Sequence, residues 1–268
     1  LQVTQYYKIA TNPSTIGGQG NVMLGGTQDN GTNMRSIVGG SNFTMIAGSD
    51  GMDCVIDPDN TSTFVASAQN GHFIRSTDAG LSFAFVCNEE SLAEDYGIYV
   101  QSSWCTPVAE VTGTVNDYFM GYSSLIKATV IGSTKIFVQF TGSGKSFVKT
   151  SRTNPTYVFW GDNNFGPLSG TFWNKVRRST AGGASPDLII DQSNNDGARK
   201  ITDLAFVPDN ADRIWITYGG YIDTLKVKYS NNGGSTWNNI TGSLPNVPIN
   251  CIVYDNSSGS NNGIYIGT

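Results

Sequence analysis

The side chains able to do chemistry are sparse, and the most suggestive are two aspartates. Asp53, in Met52-Asp53-Cys54, and Asp203, in Thr202-Asp203-Leu204, occupy equivalent places, each one residue before an apolar run that reads as a strand. Two carboxyls held apart can divide general-acid and general-base duties; the competing expectation is that both merely cap or turn the chain at the entry to a strand. Asp50, Asp53, Asp57 and Asp59 also fall close together, but they match no calcium-loop spacing, and Asp57-Pro58-Asp59-Asn60 reads as a turn. The four cysteines, Cys54, Cys87, Cys105 and Cys251, lack any C-x-x-C spacing, which argues against zinc. Neither a metal nor a cofactor is therefore expected. If disulfides form, Cys87 and Cys105 are the sequence-local pair, whereas Cys54 and Cys251 each open an apolar strand, where a buried free thiol is expected. His72, the one histidine, has no Ser or Cys partner in a recognisable motif and reads as a surface residue. Of the five tryptophans, Trp104, Trp160, Trp173, Trp215 and Trp237, the candidates for a sugar-stacking face are Trp160 and Trp173, because they flank an irregular insertion.

The elements that must position these residues are announced by a recurring turn. Ser230-Asn231-Asn232-Gly233-Gly234-Ser235-Thr236-Trp237 and Ser76-Thr77-Asp78-Ala79-Gly80-Leu81-Ser82-Phe83 share one order: hydroxyl, Asp or Asn, Gly, hydroxyl, aromatic. Asp or Asn bonds the backbone two residues on, Gly supplies a positive φ, and the aromatic tucks in as the next strand begins, so the octamer predicts a tight hairpin. The defining positions are Ser76, Asp78, Gly80 and Phe83 in one copy and Ser230, Asn232, Gly234 and Trp237 in the other. Worn copies follow Ser36, Ala128 and Ser179, and the fifth-position glycines are Gly40, Gly80, Gly132, Gly183 and Gly234, 40 to 52 residues apart. Such a period suits one four-stranded propeller blade.

An all-β propeller of about five and a half blades follows, and it reads as part of a larger one. The blades fall at 1–50, 51–88, 104–141, 145–192 and 200–242, with a half blade at 249–268. The first strand of each blade would be innermost, at Tyr6 to Pro13, Cys54 to Asn60, Pro107 to Thr114, Phe147 to Pro155, Leu204 to Asn210 and Cys251 to Ser257. Two insertions break the period. Residues 88–103, with Glu89, Glu90, Glu94 and Asp95, form an acidic helix or loop; residues 162–173 are rich in Gly, Pro and aromatics. Because the chain stops in mid-blade, and a propeller normally hides its edges, missing strands are expected from a longer protein or from elsewhere.

Composition agrees with this reading. Of 268 residues 32 are Gly and only 14% are charged, which suits a turn-rich β-protein. A net charge of −5 argues against a nucleic-acid partner, and the tight basic pair Arg177-Arg178 reads as an exposed strand face. No apolar run reaches the length of a membrane span, so a membrane-spanning protein is not expected, and Leu1 opens no visible signal peptide.

At its octamers the chain resembles the Asp-box, or BNR-repeat, β-propellers: sialidases, sortilin-type receptors and xyloglucan-cleaving glycosidases. A sharper likeness lies in Tyr6-Tyr7-Lys8-Ile9-Ala10, Gly25-Gly26-Thr27-Gln28-Asp29-Asn30-Gly31, Ile201-Thr202-Asp203-Leu204-Ala205, Gly242-Ser243-Leu244-Pro245-Asn246-Val247-Pro248-Ile249-Asn250 and Gly263-Ile264-Tyr265-Ile266-Gly267-Thr268. Together these are similar to the sortilin-like propellers of very large secreted and surface proteins of Bacteroidetes-type bacteria, usually exported by the type IX pathway. The resemblance implies an extracellular, non-catalytic recognition or structural module serving adhesion or assembly. Its partners would be a glycan, a surface protein, or neighbouring domains or subunits. A sialidase is disfavoured, because that family's Arg-Ile-Pro motif is missing, and Arg75 and Arg178, just before turn octamers, read as solvated strand positions. The alternative is an inverting glycoside hydrolase. Xyloglucanase-like propellers place an acid and a base Asp at the starts of inner strands, which points to Asp53 and Asp203, and inversion needs room for a water between them. Those enzymes use two whole propellers with a cleft between.

Overall fold

The computed structural model describes residues 4–11, 22–35, 42–140, 145–162, 175–191, 200–221, 224–257 and 263–268. The chain forms two compact units, Leu1–Gly144 and Lys145–Thr268. In the first, three antiparallel meanders follow one another: β1 (Tyr6–Thr11) to β4 (Thr44–Ala47), through β2 (Met23–Thr27) and β3 (Gly31–Arg35); β5 (Gly51–Ile56) to β8 (Ala84–Cys87), through β6 (Phe64–Ala68) and β7 (His72–Ser76); and β9 (Val108–Glu110) to β12 (Thr134–Phe140), through β10 (Asp117–Gly121) and β11 (Leu125–Ile131). The second unit holds two more four-stranded meanders and a two-stranded remainder. These are β13 (Lys145–Thr150), β14 (Val158–Asp162), β15 (Lys175–Ser179) and β16 (Asp187–Asp191); then β17 (Ile201–Val207), β18 (Asn210–Tyr218), β19 (Val227–Ser230) and β20 (Asn238–Asn239); then β21 (Cys251–Tyr254) with β22 (Ile264–Gly267). Among the described residues these are the expected all-β blades, five complete and one half.

Second strands carry much of the core of each unit, and Val158–Asp162 is buried at every position, Asp162 included. The core lies between consecutive sheets. Val65 and Phe73 of the second blade pack with Tyr118, Met120 and Ile126 of the third; Phe147 and Phe159 of the fourth pack with Leu204, Phe206 and Ile214 of the fifth. The fourth strand β12 is wet, every residue along Thr134–Phe140 being exposed or half-buried.

The acidic insertion contains a helix, α1 (Glu89–Tyr96), whose start is legible in its residues. The Asn88 side chain accepts from the Ser91 amide at 2.8 Å and Ser91 Oγ accepts from the Asn88 amide at 3.0 Å, a closed capping box, with Glu89 and Glu90 favourably placed in the first turn. Leu92 anchors the helix in the core beside Val86 and Cys87. The octamer at residues 36–43 and the insertion at 162–173, with Trp173, lie largely or wholly outside the described residues.

Several expectations need correction. All four cysteines are free thiols, so Cys87 and Cys105 form no disulfide. Cys251 is exposed: the half blade presents Ile252 to the core, and strand alternation turns Cys251 outward. The first strands of the second and fifth blades begin earlier than expected, at Gly51 and Ile201, with a register shift in each, between Gly51 and Cys54 and between Ile201 and Asp203. Asp53 and Asp203 therefore sit inside their strands.

Candidate functional site

Asp53 and Asp203 are equivalent in structure as in sequence, and each fastens its blade to the next. On β5, Asp53 Oδ1 accepts from the Cys54 amide at 2.8 Å and Oδ2 accepts from the Val108 amide on β9 at 3.2 Å. Ser67 braces the backbone, its Oγ accepting from the Asp53 amide and donating to the Asp53 carbonyl. On β17, Asp203 Oδ2 accepts from the Ile252 amide on β21 at 3.2 Å, Thr217 Oγ1 donates to its carbonyl, and Lys149 Nζ lies 2.9 Å from Oδ1. Asp53 is 8% exposed and Asp203 2%. Buried carboxylates so employed are stitches between first strands, each satisfying an amide that would otherwise lack a partner.

The other acidic candidates are equally occupied. Asp50 accepts from the Asp29 amide, Asp59 from the Gly113 amide at 2.6 Å, and Asp57 Oδ1 from the amides of Asp59 and Asn60, the turn expected there. Burial pushes the Asp57 carboxyl up, despite those two amides. Among the described residues no three His, Cys, Asp or Glu side chains converge as a metal site. Burial also pushes the Cys87 and Cys105 thiols up to about 12, far from a reactive thiolate.

Of the two tryptophans expected to stack on a sugar, Trp160 is described and falls out differently from expectation. Trp160 is fully buried on β14, so it presents no face to a sugar. Trp215 is also buried, stacked on Tyr254 with centroids 5.5 Å apart. Trp237 caps its turn, donating from Nε1 to the Ile189 carbonyl at 3.3 Å. Trp104, passed over in the sequence, is 48% exposed and donates from Nε1 to Tyr7 Oη. His72 is exposed beside Phe85, as its sequence suggests.

The turn residues do what their types require. Ser76 Oγ accepts from the Asp78 and Gly80 amides, and Asp78 accepts from the Ser82 amide and hydroxyl. Ser230 and Asn232 repeat the pattern with Gly234 and Thr236. Phe83 is half-buried behind the first turn.

The arginines were the least legible. Arg75 is 9% exposed, not solvated: Nε donates to Tyr118 Oη at 3.1 Å and Nη2 to the Val115 carbonyl and Asn116 Oδ1. Arg178 pairs with Asp212 at 2.6 Å and Asp187 at 3.1 Å. Arg177 reaches Asp162, which also binds the fully buried Lys145 at 2.7 Å. The Arg177-Arg178 pair is thus neutralised within the protein, and no residue-type signal in the sequence marked Lys145 as buried.

Two cavities open on the first unit. One, of about 660 Å³, lies beside α1 and is lined by Glu89, Glu90, Tyr99 and Gln101. The other, of about 670 Å³, opens between the second and third blades, around Arg75, Phe85 and Lys135. Neither is lined by Asp53.

No family model matches the sequence, and no curated protein does. Among solved structures, the chain is similar to the GH74 enzyme of Niastella koreensis, at 17% identity and TM-score 0.67, covering 93% of this chain and 42% of that one. It is similar to the GH74 xyloglucanase of Xanthomonas campestris at 14% identity and TM-score 0.63, over 87% and 38% of the two chains. The β-propeller domain of Cps50 (Swd1) from Myceliophteria thermophila aligns at 9% identity and TM-score 0.61, over 93% and 76%. The chain thus spans about two-fifths of the GH74 chains. At such identities the likeness is one of fold, and that fold is the β-propeller.

Proposed function

We propose that this chain is a non-catalytic recognition or structural module of a large secreted or cell-surface bacterial protein. Its task is adhesion or assembly, through a glycan, a surface protein or neighbouring domains, with no nucleic-acid partner. The observation that carries this reading is the use made of Asp53 and Asp203. A general acid or base must reach the proton it transfers. Both carboxylates are instead buried and bonded to the amide of the next blade's first strand, Val108 for one and Ile252 for the other.

An inverting glycoside hydrolase with Asp53 and Asp203 as acid and base is the second reading, favoured by the likeness to GH74 propellers. The test is release of reducing ends from xyloglucan by the chain and by its Asp53→Asn and Asp203→Asn variants. The module predicts no release from any of them. Release by the native chain that either variant abolishes would overturn it.

A further inference from the structure

Arg75 and Arg178 are equivalent residues with different counter-charges. Each immediately precedes a turn serine, Ser76 or Ser179, and each reaches into the hairpin of the following blade. Arg178 meets two carboxylates, one on its own blade and one on the next. Asp187 is its cross-strand partner, and Asp212 stands two residues before Ile214, which pairs with Ser230. Around Arg75 both places have lost their acid. Its cross-strand partner is Ala84, and Asn116 stands two residues before Tyr118, which pairs with Ala128, the first residue of that blade's turn. A guanidinium held by three neutral acceptors keeps its charge, and its Nη1 makes no hydrogen bond among the described residues.

The cavity of about 670 Å³ opens where those acids are missing, and Ala84 and Asn116 both line it. Lys135, with its Nζ 4.9 Å from the Phe85 ring centre and no carboxylate partner among the described residues, lines the same cavity. None of the lining residues is acidic, in a protein with 21 acidic and 16 basic side chains. Asp57, whose carboxyl feels the Arg75 charge, is fully buried with Oδ1 engaged by two amides. The remaining lining suits a polyhydroxylated ligand: Thr77, Ser133 and Asn60 offer short polar groups, and Phe83 and Phe85 offer apolar edges.

We propose that this cavity is a binding site for an acidic saccharide, whose carboxylate takes, beside Arg75, the place that Asp187 fills beside Arg178. The guanidinium is already aligned by its three acceptors, so little ordering is needed when the anion arrives. The volume admits a mono- or disaccharide, within the ordinary range of about 300–1,000 Å³ for ligand sites. This inference does not depend on what Asp53 and Asp203 do.

Calorimetric titration of the full chain at low salt, with digalacturonate, cellobiose and sodium sulfate as probes, tests it. Digalacturonate is expected to bind at least tenfold more tightly than either of the others. Ala84→Asp, which restores the missing carboxylate at an exposed edge position, should weaken digalacturonate at least tenfold. Ser133→Trp, in the exposed turn at the cavity mouth, should weaken it at least fivefold. Equal affinity for digalacturonate and cellobiose, or digalacturonate binding that survives both variants unchanged, would overturn the site. Sulfate binding as tightly as digalacturonate would overturn the saccharide assignment.

Discussion

The turns at Ser76 and Ser230, one in each compact unit, are nearly superimposable in their hydrogen bonds and differ in charge. In both, the serine hydroxyl accepts the third-position amide at 3.3 Å and the glycine amide at 2.9 Å, and the third residue accepts the seventh-position amide at 2.9 Å. The final bond runs in opposite senses. Ser82 Oγ donates to the Asp78 carboxylate at 2.6 Å, whereas Asn232 Nδ2 donates to Thr236 Oγ1 at 2.8 Å. The third copy, at Ser179, has Ala181 in place of the acid and still takes two amides on its serine, those of Ala181 and Gly183, both at 3.1 Å. The serine and the glycine therefore shape the hairpin, and the side chain at the third position only trims it.

The two turns differ most at their glycines. Gly80 and Gly234 have φ of +85° and +90°, where any side chain costs about 1–3 kcal/mol. A Cβ on Gly80 would meet Phe64 Cε2 at 3.3 Å, an edge with some freedom, but one on Gly234 would stand 2.6 Å from Ile189 Cβ. Gly234→Ala should thus lose a further 1–3 kcal/mol or so by overpacking. Urea midpoints of the two alanine variants check this, and equal losses would mean that the wall behind Gly234 yields freely. The next effect is smaller. Ser76→Ala, Ser179→Ala and Ser230→Ala each strand two amides and should each cost about 1–3 kcal/mol. If the acid were the organiser, Ser179→Ala would be nearly silent.

These turns also explain what could be read from the sequence. Their bonds join residues two to four apart, so residue types at fixed offsets announce the hairpins, and the hairpins announce the blades. Functional residues depend on partners from another blade, which local patterns do not carry. Arg75 looked solvated because Val115, Asn116 and Tyr118 lie about 40 residues away in sequence. Trp160 looked like a binding face because Val158–Asp162, buried on both sides, shows no alternation to say which way its indole points. Asp53 and Asp203 looked like strand entrances because the register shifts that draw them into β5 and β17 leave no residue-type signature. The missing acids at Ala84 and Asn116 become meaningful only once Arg178 shows what an acid does there.

The smallest effect isolates the charge itself. Hydrogen bonds from the Ser82 hydroxyl and amide, then from Ser76, hold the Asp78 carboxyl down at about 2, below its ordinary 3.8. The folded turn thus favours the ionised form, so its contribution is fully present above about pH 3.8 and is lost as the pH falls through about 2. Asn232 has no proton to take up in that window. The Ser82 amide resonance should therefore titrate with a midpoint near 2 while the Thr236 amide shows no such step, and Asp78→Asn should flatten the Ser82 curve without opening the hairpin. A Ser82 midpoint at 3.8 would mean that the hydroxyl and amide bonds to the carboxylate do not persist in solution, and that the Ser76 turn is held by its serine alone.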